Sequence, residues 1–130
     1  LMGDDLYGKA DIARVAMTRL SMGVYRVSNV FRGGEIKCTP SGNLLQVLED
    51  KHQISDGFIN TGLYALDKSI FSIPPASASN GHDETGIPQT LAQLALTSDV
   101  QIIRVDKWFQ ITEPADVLRA SASLLSFTDE

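Results

Sequence analysis

The chain has 130 residues, 43% of them hydrophobic and 21% charged, with a formal net charge of −5. That is the size and composition of one globular domain with a real core, and its acidic balance argues against a nucleic-acid binder, which is basic on at least one face. The single cysteine, Cys38, excludes an internal disulfide and a multi-cysteine zinc site, and no apolar run approaches the roughly 20 residues that span a bilayer.

The chain opens Leu1-Met2-Gly3-Asp4-Asp5, without methionine at position 1. Gly-Asp after apolar residues ends a strand in many α/β proteins, and here the strand is missing, so the chain reads as a piece of a longer one, cut just before its own active-site loop. Asp11 is placed to cap a helix over Ile12 to Met22, with Ile12, Val15, Ala16, Arg19 and Leu20 at helical spacing and Gly23 at its end. Val24 to Val30 alternates and is β-branched, hence a strand. After the Gly33-Gly34 break, Glu35 to Thr39 and Leu44 to Glu49 form a hairpin turned by Pro40-Ser41-Gly42-Asn43. Cys38 reads as a small buried hydrophobe in this region.

Phe58 to Leu66 is a central strand, and Asp67 caps a short helix over Lys68 to Ile73 that Pro74-Pro75 stops. Ala76 to Gly86 is an exposed loop. Pro88 suits the first turn of a helix carrying Leu91, Leu94, Ala95 and Leu96. Val100 to Val105 is a further strand. Thr112 is placed as N-cap, with Pro114 in the first turn of a last helix through Leu118, Ala122 and Leu125. Strands and helices interleave around one hairpin, which gives α/β with a mixed sheet and one domain.

The central strand carries a polar interruption, Asn60-Thr61-Gly62, among Phe58, Ile59, Leu63, Tyr64 and Leu66. A polar triplet in a buried strand destabilises unless it is satisfied, and a site for a polar ligand is one way to satisfy it. Upstream, Glu49 and Lys51 supply a hydroxyl acceptor and a phosphate partner. The plainer reading of both is a bulge at Gly62 and a surface salt bridge.

Landmarks then fall in order: Gly3-Asp4, Gly34-Glu35-Ile36-Lys37, Val47-Leu48-Glu49, Asn60-Thr61-Gly62-Leu63-Tyr64, Ile73-Pro74 and Trp108 to Asp116. In these the chain resembles the sugar-1-phosphate nucleotidyltransferases, such as the glucose-1-phosphate thymidylyl- and uridylyltransferases. Members of that family show a Gly-Asp after a strand, a Gly followed by two β residues, a Glu-Lys-Pro, an Asn-x-Gly-x-Tyr strand and a Trp-x-Asp-x-Gly-Thr-Pro-x-Asp. The resemblance spans nearly the whole chain and implies a Rossmann-like (GT-A-like) α/β fold, with a mixed, mostly parallel sheet flanked by helices. Residues 1–130 would be the C-terminal portion of one nucleotidyltransferase domain.

The resemblance also implies roles. Asp4 holds the catalytic Mg2+, which takes one or two carboxylates plus substrate phosphates. Gly34 lets backbone approach the sugar, Glu49 accepts from sugar hydroxyls, Lys51 contacts the sugar phosphate, and Asn60 and Gly62 lie on the strand beside the sugar. The partners so implied are a sugar-1-phosphate and a nucleoside triphosphate, in the cytoplasm. No nucleic acid or membrane is expected, and the oligomeric state stays open, a homo-oligomer included.

The departures are specific. Glu49-Asp50-Lys51-His52 displaces the lysine by one residue and lacks the proline, and in a strand such a shift reverses the side chain's face. Gln110 stands where the family has its second metal-binding aspartate. Either its carbonyl oxygen serves, or Asp5 or Glu113 compensates, or metal binding is weakened. The family's glycine-rich nucleotide loop has no counterpart here, so this piece alone should not transfer a nucleotide. The alternative to an enzyme is a non-catalytic sugar-phosphate-binding or regulatory relative. His52, His82 and the Asp83-Glu84 pair read as solvated loop residues, and Trp108 and Phe109 as core.

Overall fold

The computed structural model describes residues 1–28, 31–32, 34–49, 53–54, 56–78 and 84–128. Its strands are β1 (Leu6–Tyr7), β2 (Ser21–Val27), β3 (Phe31–Arg32), β4 (Glu35–Cys38), β5 (Leu44–Leu48), β6 (Gln53–Ile54), β7 (Gly57–Ala65), β8 (Gln101–Arg104) and β9 (Trp108–Phe109). The helices are α1 (Lys9–Ala16), α2 (Ile87–Leu94) and α3 (Pro114–Thr128), with a 3-10 turn at Lys68–Ser72. Five strands form a mixed sheet in the order β5-β4-β7-β2-β8; β1 pairs with β9 and β3 with β6 in two short ribbons.

A mixed sheet flanked by helices is what the sequence leads one to expect. A mostly parallel one is not found: β2 runs parallel to β8, while β5–β4, β4–β7 and β7–β2 are antiparallel. The reason is the connections. The tight turn between β4 and β5 permits only an antiparallel pair, and β7 ends at Ala65 beside Ser21, the same end of β2 at which β8 starts at Gln101, so β8 runs against β7 and with β2. The β8 edge is partly covered. Leu44 N–H donates to the Val100 carbonyl (2.7 Å) and Ile102 N–H to the Gly42 carbonyl (2.8 Å), so the start of β5 folds onto it.

The core lies on both faces of this sheet. Leu20, Met22, Val24, Ile36 and Leu44 pack with Leu91, Leu94 and Val100 under α2. Val15 of α1 packs with Leu63 and Val105 in a second cluster, against which Tyr7, Ile12 and Trp108 lie. Gly23 faces the second cluster. It sits within β2, where a Cβ would lie 3.1 Å from the Leu63 carbonyl, the Thr61 hydroxyl and Val105 alike.

That position corrects the first expected helix. α1 ends at Ala16, and residues 21–24 are buried on both faces as strand, so Gly23 serves close packing and not a helix stop. Asp11 is no cap either. It lies inside α1, 1% exposed, and its carboxylate accepts from Asp106 N–H (3.0 Å), Lys107 N–H (2.8 Å) and Arg14. Cys38 is exposed, because the inward burial of β4 stops after Ile36.

Other elements match. The β4–β5 hairpin forms, with a register shift between Lys37 and Cys38, β7 covers the expected central strand, and Asp67 caps the 3-10 turn by accepting from Ser69 N–H (2.8 Å). Pro88 lies in the first turn of α2. Ends of the 76–86 loop are joined by Gly86 N–H to the Ala76 carbonyl (3.0 Å).

The cap of α3 differs from the expectation at Thr112. Asp116, the third residue of the helix, reaches back to accept from Thr112 N–H (2.9 Å), Glu113 N–H (2.9 Å), the Thr112 hydroxyl (3.2 Å) and Arg119. Those backbone donors, then Arg119, hold the Asp116 carboxyl well below the usual carboxylate range. A depressed carboxyl contributes stability above its unfolded pKa and loses it as pH falls. Chemical denaturation at stepped pH should therefore show the wild-type chain losing stability below about pH 4, and Asp116→Asn losing less over the same window. Identical pH slopes in the two chains would refute this role.

Candidate functional site

The β1–β9 ribbon brings the two ends of the chain together. Leu6 pairs with Phe109 and Tyr7 with Trp108, so the residues just before β1 meet those just after β9. Asp5 fastens this junction: its carboxylate accepts from the Trp108 indole N–H (3.0 Å) and from Ile111 N–H (3.2 Å). The Trp108 ring rests on Tyr25, with centroids 5.6 Å apart, so it is both core and wall.

The third wall is the middle of β7. Met22 pairs with Tyr64 and Val24 with Asn60, so Thr61, Gly62 and Leu63 all oppose Gly23, and β7 bulges there. Gly62 takes φ +74°, the left-handed region that favours glycine, and a Cβ on it would come 2.3 Å from the Met2 side chain. The bulge expected at Gly62 is real, and it satisfies the polar triplet from within. The Asn60 side-chain oxygen accepts from Gly62 N–H (3.0 Å) and its amide donates to the Tyr64 hydroxyl (2.7 Å). Thr61 donates to the Gly23 carbonyl (2.8 Å), and Tyr7 donates to the Thr61 carbonyl (2.6 Å).

Between these walls lies a cavity of about 300 Å³, lined among others by Asp4, Asn60, Gly62, Tyr64, Trp108 and Gln110. Burial, then the charge of Asp5, pushes the Tyr7 hydroxyl up to about 12. Burial likewise raises Tyr64 to about 12, opposed by the Asn60 hydrogen bond and helped by the Glu49 carboxylate. Both phenols are therefore neutral hydrogen-bonding groups at physiological pH.

Asp4, Asn60, Gly62 and Gln110 thus share one cavity. Gly34 and Glu49 form a second group beside it: a Cβ on Gly34 would lie 3.3 Å from Glu49 Oε1. That oxygen accepts from the Gln89 amide (2.7 Å), which projects from the first turn of α2. Tyr64 lines the cavity and feels the charge of Glu49, so it links the two groups. Lys51, and with it the expected Glu49–Lys51 pair, lies outside the described residues, as do His52, His82 and Asp83.

Nothing in the sequence singles out Gln89, and Asp5 stands there only as one alternative for compensating Gln110. Gln89 has no Ser or Thr at Gly86 to complete a capping box, and the Gly86 N–H goes to the Ala76 carbonyl instead. Asp5's partner is more than a hundred positions away, and no local pattern announces it.

The donor set can be tested against the implied Mg2+. Asp5 is committed to two N–H donors and Asp116 to its cap, so Asp5 does not stand in for the absent second aspartate. Glu113 is exposed and is not part of the cavity lining. Among the described residues no group of three or more His, Cys, Asp or Glu side chains converges. What remains is the Asp4 carboxylate and the Gln110 amide oxygen, which suits a hard cation that keeps most of its water and takes further oxygens from substrate phosphate.

Among solved structures, the inositol-1-phosphate CTP transferase of T. maritima superimposes with a TM-score of 0.65 at 18% identity, over 98% of this chain and 54% of that one. The fold is that of the CTP transferase. HddC from Yersinia pseudotuberculosis, also solved in complex with GMP-PN, superimposes with a TM-score of 0.57 at 22% identity, over 89% of this chain and 48% of that one. In sequence, the chain is 21% identical over 126 residues to the bifunctional protein GlmU of Methanocaldococcus jannaschii, covering 96% of this chain and 31% of the relative. The chain therefore spans about half the length of the solved structures and about a third of the curated relative. No protein-family model matches it. No helix among the described residues is long and apolar enough to cross a membrane.

Proposed function

We propose that the whole protein is a sugar-1-phosphate nucleotidyltransferase, of which this chain forms the C-terminal portion of the catalytic domain. The substrates in this reading are UTP or dTTP and glucose-1-phosphate, the products a nucleotide-sugar and pyrophosphate, and the compartment the cytoplasm. The observation that carries it is the convergence of Asp4, Asn60, Gly62 and Gln110 on one cavity, with Gly34 and Glu49 beside it. The shared fold with a transferase acting on a 1-phosphate supports the same class.

In this reaction a phosphate oxygen of the sugar-1-phosphate attacks the α-phosphorus in line. A new P–O bond forms as the bond to pyrophosphate breaks, with no covalent enzyme intermediate. The chain's residues position the sugar half: Glu49 accepts from its hydroxyls, Gly34 leaves room for it against the backbone, Asn60 and Gly62 form the floor, and Lys51 meets the phosphate. Asp4 and the Gln110 oxygen would hold Mg2+, which would supply charge neutralisation at the phosphates.

The test is pyrophosphate release by the full-length protein with Mg2+, glucose-1-phosphate and each nucleoside triphosphate in turn. Release with one nucleotide is expected. No release from folded protein with any combination, alongside saturable binding of the sugar phosphate, would establish the non-catalytic binding relative that Gln110 favours.

A further inference from the structure

The first turn of α2 carries a device that acts on Glu49. The helix is held firmly: Leu91 and Leu94 are buried in the main core, and the Thr90 hydroxyl donates to the Gly86 carbonyl (2.8 Å) while accepting from Ala76 N–H (3.0 Å). Gln89 rides on that turn. Its side chain folds back across Gly86, where a Cβ would lie 1.8 Å from the Gln89 Oε1 and 2.9 Å from its Cδ. Gly86 itself is extended, with φ −118°. Any residue adopts that backbone, so the glycine is needed for the space over its α-carbon and not for its conformation.

Folded this way, Gln89 presents its amide N–H to Glu49 Oε1 at 2.7 Å. Oε1 also faces Gly34 at 3.3 Å from where a Cβ would stand. Among the described residues Oε2 has no hydrogen-bond donor. A neutral amide fixes the carboxylate without cancelling its charge, which a Lys or Arg at this place would do. One oxygen is thereby committed to the protein and the other left as an acceptor.

We propose that Gln89 is a positioning residue for Glu49, seated by the bare α-carbon of Gly86, and that it sets which carboxylate oxygen reads the sugar hydroxyls. This rests on the nucleotidyltransferase reading above. It places a determinant of sugar affinity on α2, outside the strands that carry the family's landmarks.

Steady-state kinetics of the full-length protein with Mg2+ test it. Gln89→Ala should raise KM for the sugar-1-phosphate by roughly 3- to 10-fold, the loss expected of one hydrogen bond to a charged group acting through a second residue. KM for the nucleoside triphosphate should stay unchanged. Gly86→Ala should give the same split, because the new methyl displaces the flexible amide and the backbone accepts it. Gln89→Glu sets carboxylate against carboxylate and should exceed both. Melting curves matching wild type exclude a folding defect as the cause. The inference is overturned if Gln89→Ala and Gly86→Ala leave the sugar-phosphate KM unchanged while Glu49→Ala raises it. If Glu49→Ala also has no effect, or wild type releases no pyrophosphate, the nucleotidyltransferase reading of this site falls together with the inference.

Discussion

Replacing Asp11 by alanine should destabilise the folded chain by about 3–5 kcal/mol, the largest stability effect we expect of any single substitution here. Asp11 is 1% exposed, and its two oxygens accept from Asp106 N–H, Lys107 N–H and Arg14. Alanine leaves two backbone donors unmet in a partly buried turn, at about 1–3 kcal/mol each. Arg14 adds little to the loss. Its side chain is 44% exposed, and it keeps its bonds to the Arg104 carbonyl (2.8 Å) and Asp106 (3.1 Å). Asp11→Asn keeps an acceptor and should show about half the effect. Urea denaturation at unchanged m-value measures both. Since a domain has about 5–15 kcal/mol in all, the alanine variant should lie close to its threshold. A loss under about 1 kcal/mol would mean that the 106–107 turn finds other acceptors, contrary to the geometry.

The same residue shows where sequence reading stops. Asp before an amphipathic stretch is a cap by local rules, and Ile12, Val15, Ala16, Arg19 and Leu20 do keep helical spacing. What local rules do not contain is the strand at positions 101–104, which lies parallel to β2 and draws Ser21–Val24 into the sheet, ending the helix early. Long-range pairing overrode periodicity there. Where turn chemistry was strong, at Pro40-Ser41-Gly42-Asn43, Asp67 and Pro88, the elements begin or turn as read, although α2 stops at Leu94, before Ala95 and Leu96. Beyond the hairpin, strand direction was not legible, because a β-rich segment carries no mark of its neighbour's orientation.

For the site, the useful signal was an inconsistency: a polar triplet within an apolar strand. The triplet lines the cavity, and it is satisfied in a way only half anticipated. Asn60, Thr61 and Gly62 satisfy one another and their neighbours, and the bulge they make turns that satisfied surface into a cavity wall. The convergence of positions 4, 60, 62 and 110 needs the β1–β9 ribbon, whose strands of two residues each have no period to detect. The Gln89–Glu49 contact likewise joins elements 40 positions apart.

The second large effect falls on Asp4. In the full-length protein, Asp4→Ala should lower kcat for pyrophosphate release by roughly 10²- to 10³-fold. What decides this is which carboxylates near the cavity are free. Asp5 is taken by Trp108 and Ile111, and Asp116 by Thr112, Glu113 and Arg119. Asp4 lines the cavity, is exposed, and among the described residues has no hydrogen-bond donor on it. A carboxylate spent on the fold cannot also bind a cation without giving up its protein donors; Asp4 has none to give up. Removing it takes away the one uncommitted charge of the donor set and leaves the Gln110 amide, a poor magnesium ligand alone. Gln110→Asp is the converse variant. It adds a second carboxylate and should lower the magnesium concentration for half-maximal rate, read by titrating Mg2+ at saturating substrates. If Asp4→Ala keeps kcat within about three-fold and its magnesium dependence is unaltered, the cation is held elsewhere and the cavity serves the sugar phosphate alone.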